Sequence, residues 1–160
     1  ILTEEAIAAG VDGIYYAALG GEKHFYTDEE FELYVKPYDL QVLKAIRDAG
    51  GHVFLHICKE EINMDRYADY APLADVVNWG VYETEFSLQE GKDLFKGSAI
   101  MGGLATRSGV LVDGTNAEIE TAVQEVIRDF GKKGFILGAD CTLPTEISWE
   151  RILAAVRATI

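Results

Sequence analysis

The chain has 160 residues, 49% hydrophobic and 26% charged, which is enough for one domain with its own core and ordinary for a globular protein. Its 27 acidic and 14 basic residues give a formal net charge of −13. A surface of that sign repels phosphate backbones, and Lys132-Lys133 is the densest basic pair, so no nucleic-acid partner is expected. No apolar run reaches the roughly 18–20 residues that cross a bilayer, so no membrane partner is expected either.

The chain opens ILTEEAIAAG, without an initiator Met or a signal-like lead, and reads as an excised piece of a longer polypeptide. Thr3 to Ala9 is predicted as a short helix closed by Gly10. Gly13 to Leu19 is an apolar, Tyr-rich strand, broken by Gly20-Gly21. Thr27-Asp28-Glu29-Glu30 has the pattern of a capping box. Its helix is interrupted at Pro37, and a second helix runs on to Gly50-Gly51 with Leu40, Leu43 and Ile46 at helical spacing. His52 to Cys58 is the second strand, followed by a short helix around Asp65 to Tyr70. Asp75 to Val81 is the third strand, and Ser87 to Glu90 a second capping box. Ala99 to Ala105 is the fourth strand. Thr115 to Glu118 is a third capping box, whose helix aligns Ile119, Val123, Val126, Ile127 and Phe130. Gly134 to Cys141 is the fifth strand, and Ser148 is expected to cap a last helix that buries Ile152, Leu153 and Val156.

Continuous apolar strands alternating with amphipathic helices predict an α/β fold with a parallel sheet covered on both faces. Doubly wound sheets and (β/α)₈ barrels both fit this pattern. Neither GxGxxG nor GxxxxGK[ST] occurs, which disfavours a nucleotide-binding sheet. A barrel needs eight strands and about 250 residues, so these βα units would form its C-terminal part, a single domain fragment over 1–160.

The second strand carries the sequence's main chemical signal. FLHICK places His56 and Cys58 two apart, on one face of a strand. Both fall at its carboxyl end, and Cys141 falls at the carboxyl end of the fifth strand. In parallel α/β folds that rim binds ligands. One imidazole and two thiols are a zinc-type donor set, with a fourth position open to a substrate thiol. A long-range disulfide and two small buried hydrophobes are alternative readings of the cysteines. The lack of a secretion signal favours a reducing, cytoplasmic compartment.

Around that rim, Glu83 and Glu85 are candidate acceptors for His56 or a fourth ligand, and Arg107 is placed to reach a pocket. Asn78, Met101 and Gly102, at the ends of the third and fourth strands, are candidate cofactor contacts; a buried hydrogen bond is the other reading of Asn78. Asp140 is expected to face away from Cys141 and bond a helix N-terminus. Tyr15 and Tyr16 are expected to pack, and His24 and His52 to lie at the surface.

LHIC, GGLATRSGVLVDGT and GFILGADCTLPTEISWERI resemble the uroporphyrinogen decarboxylase superfamily along essentially the whole chain. The H-x-C pair with a late Cys is similar to the cobalamin-dependent methyltransferase branch. That resemblance implies a (β/α)₈ barrel with His56, Cys58 and Cys141 as zinc ligands. It implies methyl transfer from a methylcobamide, carried by a corrinoid partner protein, to a thiol such as coenzyme M. Lys59 stands where that branch usually has Gly, a residue that tolerates backbone angles costly for Lys. The competing implications are a tetrapyrrole decarboxylase, a lyase that would use Arg107 on its polyanionic substrate, and a non-catalytic half-barrel whose open edges self-associate.

Overall fold

The structure, a computed structural model, describes all 160 residues. The helices begin where their chemistry dictates. Thr27, Ser87 and Thr115 each accept a hydrogen bond from the backbone N–H of the Glu three residues on, and that Glu's carboxylate accepts from the N-cap backbone N–H. These boxes open α2 (Asp28–Tyr34), α4 (Leu88–Leu94) and α6 (Asn116–Phe130) and satisfy donors that the first turn leaves unpaired. The predicted break at Pro37 holds: α2 stops at Tyr34, and Pro37 sits in the first turn of the next helix, α3 (Lys36–Asp48), where its missing N–H costs nothing.

The five predicted strands are β1 (Gly13–Ala18), β2 (His52–Ile57), β3 (Val76–Trp79), β4 (Ala99–Leu104) and β5 (Phe135–Ala139). They form one parallel sheet in the order β1-β2-β3-β4-β5. Doubly wound sheets reverse strand order at a switch point; this sheet does not, so every crossover advances in one direction, as in a barrel. The predicted coverage of both faces does not hold. Leu55, Ile57, Val77, Trp79 and Ile100 form one core with Phe31, Leu43 and Ile46 of the helices and Tyr67 and Tyr70 of a 3₁₀ turn (Met64–Tyr70). On the other face Tyr15 and Ile136 remain 54% and 39% exposed. Gly91 brings α4 so close to the Trp79 indole that a methyl group would not fit.

The C-terminal helix α7 (Trp149–Arg157) departs from its predicted face. Ala154 and Ala155 are buried against α6 and α5 (Val110–Asp113), whereas Leu153 and Val156 are exposed. Two small residues permit close approach of the neighbouring helices, and that contact outweighs the larger stripe. Ser148 occupies the N-cap but makes no side-chain cap bond.

Buried Asp39 of α3 accepts hydrogen bonds from Tyr16 on β1 and, at 2.8 Å, from Tyr70 in the 3₁₀ turn. Burial raises its pKa, and the two phenols only partly offset this. A raised folded-state pKa means the folded protein binds the proton more tightly than the unfolded chain. Asp39 therefore favours folding below the ordinary carboxylate value of about 4, and that contribution is lost as pH rises through the folded value. Urea unfolding of wild type and Asp39→Asn at stepped pH should show the wild type losing stability relative to the variant over that rise. The slope, rather than the constant offset from changed hydrogen bonding, is the readout.

Candidate functional site

The parallel register sets Ala17, His56, Asn78, Met101 and Ile136 side by side in one row, all pointing to the less covered face. In that row the Asn78 amide is fixed by its neighbours. Its Nδ2 donates to the backbone carbonyls of Met101 at 2.9 Å and Ala139 at 3.1 Å. Carbonyls only accept, so Oδ1 must face His56 Nδ1, 2.6 Å away, and that ring nitrogen must carry the hydrogen. The Tyr15 hydroxyl donates to the same Oδ1 at 3.0 Å. The amide thus fills all four of its hydrogen-bonding positions inside the protein. His56 is left with its lone pair on Nε2. Burial lowers its pKa, against the opposing hydrogen bond to Asn78 and charge of Glu83, so near neutral pH it is the uncharged, ligating form.

Cys58 follows β2 directly. Cys141 follows β5 by two residues, in a bend. Strict alternation would put Cys141 on the side of Leu137, which packs against the helices. The chain leaves the ladder after Ala139, and the bend returns the thiol to the His56 side. There Cys58 Sγ and Cys141 Sγ are 3.9 Å apart, and the ligand atoms of His56, Cys58 and Cys141 all lie within 4.8 Å of one another. A disulfide needs about 2.05 Å. Two thiolates about 2.3 Å from a tetrahedral zinc would sit about 3.8 Å apart, so the donor types and the sulfur spacing both fit that ion. Burial and the neighbouring Cys141 push the Cys58 thiol pKa up, while the Lys59 backbone and charge pull it down. Burial, followed by the charges of Cys141 and Cys58, pushes the Tyr15 phenol up to about 12, which keeps it a hydrogen-bond donor.

The other predicted site residues divide. Glu83 and Arg107 pair with each other at 2.7 Å and border a cavity of about 500 Å³ at the strand-end rim, lined also by Glu60, Glu61 and Asp140. Glu83 lies near enough to act on His56 by charge, but the acceptor of the His56 ring hydrogen is Asn78, not Glu83 or the exposed Glu85. Asn78 itself has no free donor or acceptor for a cofactor; its role is to orient His56. Met101 contributes its backbone carbonyl to Asn78, and its side chain lies against Gly138. Gly102 faces Leu88 of α4 instead of the site, because adjacent strand residues point to opposite faces. Asp140 accepts from the backbone N–H of Tyr82 at 3.0 Å, so it braces the β3–α4 loop where a helix N-terminus was expected. Burial pushes its pKa up to about 6. His24 and His52 are at the surface as predicted. Tyr15, expected only to pack, belongs to the site. Its signal was the two-residue alternation with Ala17, which became readable once the register set Ala17 beside His56.

Lys59, beside Cys58, has φ of 92°, in the left-handed region where Cβ crowds the backbone. That strain is about 1–2 kcal/mol, against about 0.4–1 kcal/mol for the extra unfolded-state freedom of a glycine. The strain term is larger, so Lys59→Gly is expected to raise the urea-unfolding free energy by about 0.5–1 kcal/mol. A midpoint at or below that of wild type would contradict it.

The family model for uroporphyrinogen decarboxylase (URO-D) matches residues 2–159. No curated protein matches the chain. Among solved structures, a methyltransferase from Methanosarcina mazei superposes with a TM-score of 0.75 and 18% sequence identity, covering 98% of this chain and 44% of that one. At that identity the likeness is one of fold. This chain spans less than half the length of that protein, and its sequentially wound parallel strands are part of a TIM-type barrel. A family pattern that runs from Leu2 to Thr159, laid over that winding, places the chain in the uroporphyrinogen decarboxylase family.

Proposed function

We propose that the protein is a zinc-dependent methyltransferase of this family, moving a methyl group from a methyl-corrinoid to a thiol. The observation that carries the reading is the convergence of one imidazole and two thiols, from β2 and the end of β5, within 4.8 Å. His56 Nε2, Cys58 Sγ and Cys141 Sγ would hold the ion, and zinc would supply the lowering of a substrate thiol's pKa that makes it a thiolate at neutral pH. The chain's own residues prepare the site. Asn78 holds the imidazole hydrogen on Nδ1 and so keeps the Nε2 lone pair available. Burial keeps His56 neutral, which removes a proton that would compete with the metal. The Lys59 charge offsets part of the cost of ionising Cys58. Glu83 and Arg107 neutralise each other at the rim and leave a polar wall for positioning a reactant. The methylcobamide would arrive on a partner protein, and the compartment would be the cytoplasm, where thiols stay reduced.

Decarboxylation of a tetrapyrrole is the less supported reading. Such a substrate carries several carboxylates, but the rim cavity contains Glu60, Glu61, Glu83 and Asp140, and its Arg107 is already paired. Self-association has two observations in its favour: β1 and β5 are both unpaired edges, and an apolar groove of about 490 Å³ beside β5 includes Leu137, Ile152 and Val156. It is compatible with the methyltransferase reading.

Metal analysis of the purified chain after zinc loading and desalting is expected to find about one equivalent. Cys141→Ser, which leaves two of the three donors, should lower the zinc affinity at least tenfold. Zinc-free protein that binds a porphyrinogen would replace this reading with the decarboxylase. Methyl transfer from methylcobalamin to a thiol is expected of the whole barrel and not of the 160-residue chain alone, since about three of eight barrel strands are outside it.

A further inference from the structure

We propose that Tyr15 is a positioning residue of the triad, setting the plane of the His56 imidazole from the edge of the sheet. For its effect on metal binding, this rests on the reading above. Tyr15 lies on β1, the edge strand. Its side chain reaches across β2, stacks on His56 with ring centroids 5.5 Å apart and planes 24° from parallel, and ends in a hydrogen bond to Asn78 on β3.

The geometry assigns separate tasks to the two contacts with His56. The bond from Nδ1 to Asn78 Oδ1 holds one edge of the imidazole but permits tilt about that bond. A stacked ring over the face blocks the tilt. The hydroxyl then ties the stacking ring to the same oxygen that orients the imidazole, so Tyr15, His56 and Asn78 form a closed loop across three strands. Because Tyr15 covers the face of the imidazole, the lone pair of Nε2, which lies in the ring plane, stays clear of it. A merely packed tyrosine accounts poorly for this placement: the residue is 54% exposed, on the less covered face, yet its hydroxyl bonds to an amide that is 1% exposed. A tyrosine there buries little area and fixes much geometry.

The test separates this role from the metal reading by measuring two things. In the metal-free protein, ¹⁵N NMR of the imidazole nitrogens is expected to show His56 as the Nδ1–H tautomer alone. Tyr15→Phe keeps the stack and removes the hydroxyl; the tautomer should persist while the zinc Kd weakens about three- to tenfold. Tyr15→Leu removes both contacts; the tautomer, set by Asn78, should persist, but the motional order of the His56 ring, read by side-chain NMR relaxation, should fall, and the zinc Kd should weaken at least tenfold, within the range known for groups behind metal ligands. Unfolding midpoints taken in parallel identify a general loss of fold. If Tyr15→Leu does not fold, the near-isosteric Tyr15→Phe decides, and a zinc Kd within twofold of wild type overturns the proposal. Unchanged motional order of the His56 ring in folded Tyr15→Leu also overturns it. If wild type binds no zinc, the metal reading fails alone and the ring-order measurement still decides the role of Tyr15.

Discussion

The saturated amide of Asn78 is the contact on which the rest of the site depends. It sits 1% exposed in the middle strand of the sheet, where an unpaired amide would cost several kcal/mol. It avoids that cost by bonding to β1, β2, β4 and β5 at once, through Tyr15, His56, Met101 and Ala139. One side chain therefore joins all the other strands on the less covered face. The same arrangement leaves His56 a single compatible tautomer. A polar network of this kind is stable only when complete, so the chemistry of the imidazole and the register of the sheet are determined together.

Sequential winding explains why residues far apart in the chain meet. Each crossover returns the chain to begin the next parallel strand, so all five carboxyl ends open on one rim. His56 and Cys58 arrive there by strand alternation, whereas Cys141 needs the departure from the ladder after Ala139. The rim is also where the backbone is strained: Lys59 and Glu61 are the only non-glycine residues with positive φ, and both follow Cys58 closely. Strain concentrated beside functional groups is common in folded proteins, where the surrounding structure enforces it. Here the strain occurs where the chain must turn sharply after presenting a thiol.

Much of this was legible in the sequence, for identifiable physical reasons. The capping boxes at Thr27, Ser87 and Thr115 are local hydrogen-bond patterns, and all three formed. The five apolar strands were readable because buried parallel strands are continuous apolar runs. His56, Cys58 and Cys141 could be grouped because strand ends share a rim. The residues whose roles the sequence left open or placed elsewhere depend on knowledge of neighbours. Whether Asn78 meets a cofactor or a histidine depends on the register of three strands. Gly102 could be assigned to the helix side only once its pairing partner Leu137 was known. The buried face of α7 depended on how closely α5 and α6 approach, and Ala154 and Ala155 carry no hydrophobic signal strong enough to compete with Leu153 and Val156.

The two thiols impose a last constraint on the molecule. Cys58 and Cys141 are 83 positions apart and join the second strand to the fifth at a spacing of 3.9 Å. If both were ionised in this half-buried setting, they would repel, and the raised Cys58 pKa is partly that effect. A divalent cation held between them, as proposed, would turn the repulsion into attraction and would crosslink the sheet across β3 and β4. Because the unfolded chain does not hold these three donors together, such an ion would bind the folded state preferentially, and its binding energy would add to folding stability. In this chain the strand-end rim that could carry chemistry is then also the place where occupancy would be felt as rigidity of the whole sheet, conveyed from the sulfurs through His56 to the Asn78 amide.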